Sequence, residues 1–124
     1  MPIVTIKLVT HDESEYPDKQ QVQSLADELG DLFGSGKGGT WIKVEFIPMD
    51  MYAENRAEIA PNVQSTFVEV LKSDLPSMDE RKAEALRIAQ VVAAGLRRPS
   101  ENVHVLYLPP AKGRIAFGGK LLDT

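Results

Sequence analysis

Two hydrophobic periods alternate along this chain. From Ile3 to Val9 the chain is rich in β-branched residues, with Val4, Ile6 and Leu8 sharing a face with Pro2, and Thr5 and Lys7 on the other. That is the period of a strand. His11 to Glu15 is polar and reads as a loop, and Pro17 suits the first turn of a helix. Val22, Leu25, Leu29, Leu32 and Phe33 then recur at helical spacing. Gly34-Ser35-Gly36 stops that helix, and Lys37-Gly38-Gly39 continues the turn. Trp41 to Pro48 alternates again, Ile42, Val44 and Phe46 against Trp41, Lys43 and Glu45. From Met49 to Gln64 no period is clear, and the stretch reads as an irregular connection with a short helical turn over Ala53–Ile59.

The second part of the chain runs in the same order. Thr66 to Lys72 predicts a strand, with Val68 and Val70 alternating against Glu69. Ser77 followed by Glu80 is a capping box. The helix it starts runs to about Arg98, with Ala85, Ile88, Val92 and Leu96 on one stripe. Asn102 to Leu108 is a strand stopped by Pro109-Pro110, and Lys112 to Leu121 predicts a turn and short hairpin. The order is βαβ, connection, βαβ, tail. Helices between strands imply right-handed crossovers and parallel pairing within each half. Trp41-Ile42-Lys43-Val44 is answered about 60 residues later by Asn102-Val103-His104-Val105, and Pro2 by Thr66, a period that signals duplication. The expected fold is α+β: duplicated β-α-β units forming one four-stranded mixed sheet with two helices on one face. Residues 1–124 are read as one domain, with repeats at about 2–48 and 66–121 and a linker at about 49–65.

Composition narrows the function classes. At 124 residues, 43% hydrophobic and 26% charged, the chain fits a globular domain rather than a disordered one. A formal net charge of −4 argues against nucleic acid as a partner. There are no cysteines, which excludes disulfides and a thiolate nucleophile or metal ligand. No apolar run is long enough to span a bilayer, and charges at Lys7 and Asp12 interrupt any signal peptide. No membrane partner, a cytoplasmic location and no cofactor are expected. His11, His104 and the nearby carboxylates lack metal-ligand spacing, so no metal is expected, and the Lys-Gly stretches lack the spacing of a phosphate loop.

Pro2 carries the candidate chemistry. Initiator methionine is commonly removed before proline, and Pro2 would then be a free secondary amine. A terminal amine titrates at roughly pH 7.7–8.0. Desolvation at an apolar sheet end lowers that value, towards the range where a general base works best. The alternative is that proline in second place is fortuitous.

The run Asn102-Val103-His104-Val105-Leu106-Tyr107-Leu108-Pro109-Pro110-Ala111-Lys112-Gly113-Arg114-Ile115-Ala116-Phe117-Gly118-Gly119-Lys120-Leu121 resembles the final strand and C-terminal hairpin of 4-oxalocrotonate tautomerase, without gaps. With the Met-Pro start and the doubled βαβ pattern, nearly the whole chain resembles two such subunits fused, within the tautomerase superfamily. The stretch Lys37-Gly38-Gly39-Thr40-Trp41-Ile42-Lys43-Val44 is similar to that after the first helix in macrophage migration inhibitory factor relatives. The resemblance implies a keto–enol tautomerase with Pro2 as base, acting on 2-hydroxy-dienoates or phenylenolpyruvate-type 2-oxo acids, and a homotrimer of fused chains. It implies Lys37, Lys43, His104, Arg114 and Phe117 as substrate-binding candidates. Each has a plainer reading: a solvated turn residue for Lys37, a strand-face or interface cation for Lys43, a hydrogen-bonded structural residue for His104, and a surface cation for Arg114. The family's arginine positions hold Lys43 and His104 on the second strand of each half, and Asp12 and Pro76 after the first. Ile115 stands where the family's aromatic wall is, with Phe117 two residues on. Because Thr66 lies inside the chain, its nitrogen is an amide, so a trimer would carry three bases rather than six. The other readings are dehalogenation, hydration or decarboxylation on the same fold, which would need paired arginines (Arg97-Arg98 reads as a solvated helix end), or a non-catalytic α/β interaction module.

Overall fold

The computed structural model describes residues 2–123; the removal of Met1 lies outside them. Strand β1 (Ile3–Thr10) is central. Beside it β2 (Trp41–Pro48) runs parallel, while β3 (Thr66–Leu71) runs antiparallel on the other side. Strand β4 (Val103–Tyr107) pairs parallel with β3, giving the order β2-β1-β3-β4. This is the expected mixed sheet, with parallel pairing inside each βαβ unit and an antiparallel seam between them. A small hairpin, β5 (Ala116–Phe117) and β6 (Lys120–Leu121), closes the chain. Gly118 and Gly119 both take positive φ, 57° and 86°, which a two-residue turn of this hand demands and glycine meets without strain.

Helices α1 (Lys19–Phe33) and α2 (Met78–Leu96) pack on the same face of the sheet. Val4, Ile6, Leu8, Val68, Val70, Leu25, Leu29, Ile88 and Val92 are fully or almost fully buried between the layers. These are the alternating strand positions and helical stripe that the periods predict. The helices approach closely at Gly95, where a Cβ would stand 2.7 Å from Leu25 Cδ2.

The ends of elements differ from the sequence reading in places. Helix α1 starts after Asp18, not at Pro17, because Asp18 and Gln21 form a reciprocal capping box at 2.8 and 2.9 Å. The expected helical turn at Ala53–Ile59 is absent; a single 3₁₀ turn forms earlier, at Met49–Met51. Phe46 leaves the core and stacks on Tyr16 with ring centroids 3.6 Å apart. Arg98, expected in solvent, is buried at 7% exposure. Its guanidinium donates to the carbonyls of Val9 (3.1 Å) and Ser65 (3.3 Å) and to Thr66 Oγ1 (3.4 Å). It thereby ties the end of α2 to the end of β1 and the start of β3.

Candidate functional site at the Pro2 end of the sheet

The topology brings the start of β1, the start of β2, the end of β3 and the end of β4 to one edge of the molecule. There Pro2 is buried, and its carbonyl accepts the Trp41 N–H at 3.0 Å. The β1–β3 ladder ends at the pair Ile3–Leu71. Pro2 and Lys72 are the residues just beyond that last pair, and strand alternation puts both on the helix face.

Lys72 is part of a polar cluster that sequence reasoning missed. Its ammonium lies 3.1 and 3.4 Å from the two carboxylate oxygens of Glu84 and 5.1 Å from the centre of the Phe33 ring. Glu84 also accepts the Tyr107 hydroxyl at 2.7 Å. The Arg81 guanidinium sits 5.9 Å from the Tyr107 ring and donates to the Pro76 carbonyl at 2.9 Å. Burial first, and the Glu84 carboxylate second, push the Tyr107 hydroxyl far above the ordinary phenol range, so it stays a neutral donor fixed on Glu84. A signal was present: the inward alternation Thr66, Val68, Val70 continues to Lys72, and Glu84 lies four residues before Ile88 on the buried stripe of α2.

On the hairpin side of this edge, the Lys72 carbonyl accepts the Ala111 N–H at 2.8 Å. Phe117 meets Trp41 edge to face at 5.4 Å, and the Trp41 indole donates to the Gly38 carbonyl at 3.0 Å. Leu71, Ala111, Arg114 and Ile115 line a cavity of about 150 Å³. Arg114 donates to the Pro109 and Pro110 carbonyls, both at 3.0 Å. Lys37 is exposed in the turn before β2, beside a broader hollow of about 510 Å³ that also holds Asp27 and Asp31.

Lys43 and His104 lie elsewhere. Both are exposed on the helix-free face, on the two edge strands, with β1 and β3 between them. Three strand spacings separate them by about 14 Å. Lys43 pairs with Thr5, and His104 is level with Phe67 and hence Lys7. The displacements along the sheet from Pro2 are about 10 and 16 Å at ~3.3 Å per residue. His104 packs against Phe67, with ring centroids at 5.6 Å. Within one chain, therefore, Phe117 and Arg114 gather towards the Pro2 edge, and Lys43 and His104 do not. Among the described residues no group of three His, Asp or Glu is arranged to hold a metal ion.

No family model matches the chain, and no curated protein matches it. Solved structures do. Macrophage migration inhibitory factor from Trichinella spiralis superposes with TM-score 0.73 at 8% identity, over 96% of this chain and 98% of that one. A wild-type fused 4-OT solved as an asymmetric trimer gives 0.74 at 16% identity, over 97% and 95%. Pt0534 inactivated by 2-oxo-3-pentynoate gives 0.74 at 16%, over 97% and 94%. The likeness runs over nearly the full length of both partners, and the chain has the α+β fold of the tautomerase superfamily, as its resemblance to a fused 4-oxalocrotonate tautomerase implies.

Proposed function

We propose that this chain is a keto–enol tautomerase whose base is the Pro2 amine, freed by removal of Met1. The observation that carries the reading is the burial of Pro2 just before the central strand β1. Burial disfavours the protonated amine, which favours the neutral form that takes the proton α to the carbonyl. A neighbouring donor or cation stabilises the developing enolate oxygen, and prolinium returns the proton to the other carbon. The substrates are 2-hydroxy-dienoates or phenylenolpyruvate-type 2-oxo acids. The solved fused relatives that are trimers support a homotrimer here. So does the helix-free face, which leaves Trp41 50% and Leu106 57% exposed in a single chain. In such an assembly Lys43 and His104 act on a neighbour's Pro2, since their own is out of reach. The doubled βαβ order leaves one amine per chain and three sites per trimer. Paired-arginine chemistry has no support, because Arg98 is committed to backbone carbonyls at the far end of the sheet.

Ketonisation of phenylenolpyruvate by Pro2→Ala tests the reading, with N-terminal mass analysis to establish that Met1 is gone. A general base contributes about 10²–10⁴-fold, and a loss of that size is expected. An undiminished rate in the mutant rejects it.

A further inference from the structure

Five cations were candidates for holding the acid group of a substrate: Lys37, Lys43, His104, Arg114 and Lys72. In one chain Lys43 and His104 are on the wrong face, and Arg114 is engaged by two carbonyls. Lys37 lies in an exposed turn close to Asp27 and Asp31. Lys72 alone of the five follows the helix-face alternation at the Pro2 edge: it is the residue just past the last β1–β3 pair, Ile3–Leu71, on one strand, as Pro2 is on the other.

The cluster around Lys72 is built to keep an ammonium in place. Glu84 holds it from α2 and Phe33 flanks it from α1. Tyr107 occupies the other reach of Glu84, so that carboxylate is shared between two donors. The ammonium touches both Glu84 oxygens, and the side chain keeps 20% of its surface in solvent, which leaves it open to an entering group. With Lys72 and Arg81 positive, Glu84 negative and Tyr107 neutral, the cluster carries a net positive charge. The surroundings favour an anion there.

We propose that Lys72, clamped by Glu84, is the substrate-carboxylate receptor of this chain, and that the Pro2 site accordingly selects 2-oxo acids over uncharged carbonyl compounds. The inference rests on the Pro2 reading for its chemistry but not for its binding. The carboxylate docks on the solvent-facing side of the Lys72 ammonium, at the edge of the sheet where Pro2 begins β1. Tyr107 and Glu84 serve as positioning residues, because they act through Lys72. No bond to the protein forms or breaks.

The test compares phenylpyruvate with its methyl ester, as ligands and as substrates, using chain processed to begin at Pro2. Binding is read by titration calorimetry in both the native and the Pro2→Ala background, so a failure of the base assignment leaves the binding result intact. Losing a charge-assisted hydrogen bond weakens binding by about 10- to 100-fold. Lys72→Met is expected to weaken acid binding by that factor and leave ester binding within about twofold. Lys72→Arg is expected to keep the acid-over-ester preference. Glu84→Gln, which retains the Lys72 charge and removes its neutralising partner, is expected to raise that preference and keeps the test open if Lys72→Met does not fold. A purely structural Lys72 would shift acid and ester together. An acid-over-ester ratio unchanged in Lys72→Met, or not raised in folded Glu84→Gln, overturns the proposal.

Discussion

Gly95→Ala puts a single methyl group where the two helices meet. In an ordinary helix interior the change is stabilising by about 0.5–1 kcal/mol, because glycine gives up more backbone freedom on folding. Here the added Cβ stands 2.7 Å from Leu25 Cδ2 and 3.2 Å from Leu25 Cγ. Leu25 has no exposed surface, so it has no open space into which to swing. Overpacking of this kind costs about 1–3 kcal/mol. The steric term wins, and the net destabilisation is about 1 kcal/mol, read as a lower urea midpoint at unchanged m-value. The sharper test is the sign in a second background. Leu25→Ala by itself costs about 2–5 kcal/mol, but it removes both clashing atoms. Gly95→Ala made on top of Leu25→Ala is then stabilising by about 0.5–1 kcal/mol, the propensity term alone. The four proteins form a double-mutant cycle whose coupling carries the whole argument. If Gly95→Ala stabilises the native background, or destabilises both equally, the close approach of α1 and α2 at this point is not what holds glycine there.

Two further outcomes follow from the far end of the sheet. Arg98→Met keeps the side-chain bulk but leaves the Val9 carbonyl, which accepts from Arg98 at 3.1 Å, without that donor. A loss of about 1.5–3 kcal/mol is expected, while its neighbour Arg97→Met stays within about 0.5 kcal/mol; equal effects in denaturant melts would refute the difference. Glu15 is raised by burial, but the His11 backbone N–H, the His11 ring and Arg98 outweigh that and hold its pKa below the ordinary carboxylate range. A depressed folded pKa gives stability that is present above the unfolded value and lost as pH falls through the folded one. Melts of Glu15→Gln between about pH 5 and pH 3 therefore show a shallower decline than the native chain; parallel curves would count against the assignment.

The elements were legible because each obeys a local rule. Alternation in Val4, Ile6 and Leu8, helical spacing in Leu25 and Leu29, and the Ser77 N-cap depend only on neighbours along the chain, and all of them appear where expected; of the expected capping box only the Ser77 half forms, because the Glu80 carboxylate accepts from the Ser77 hydroxyl instead. Phe46 and Arg98 were misread for one shared reason. Their partners, Tyr16 for the first and the Val9 and Ser65 carbonyls for the second, are distant in sequence. Lys72 was counted as the last residue of a strand. Its surroundings depend on Glu84 from one helix and Phe33 from the other, and no local pattern joins those three.

Pro2 as a candidate base and the doubled βαβ order are readings of the sequence alone. They concern covalent position and period, and neither changes on folding. Which cations stand near that amine is a different kind of fact. Lys43 and His104 occupy equivalent places in the two halves, yet the sheet order β2-β1-β3-β4 sends them to opposite edges. The antiparallel seam brings the end of β3, and Lys72 after it, to the edge where β1 begins. Strand direction and pairing decide that, and they are set by how the two units bury a common apolar face.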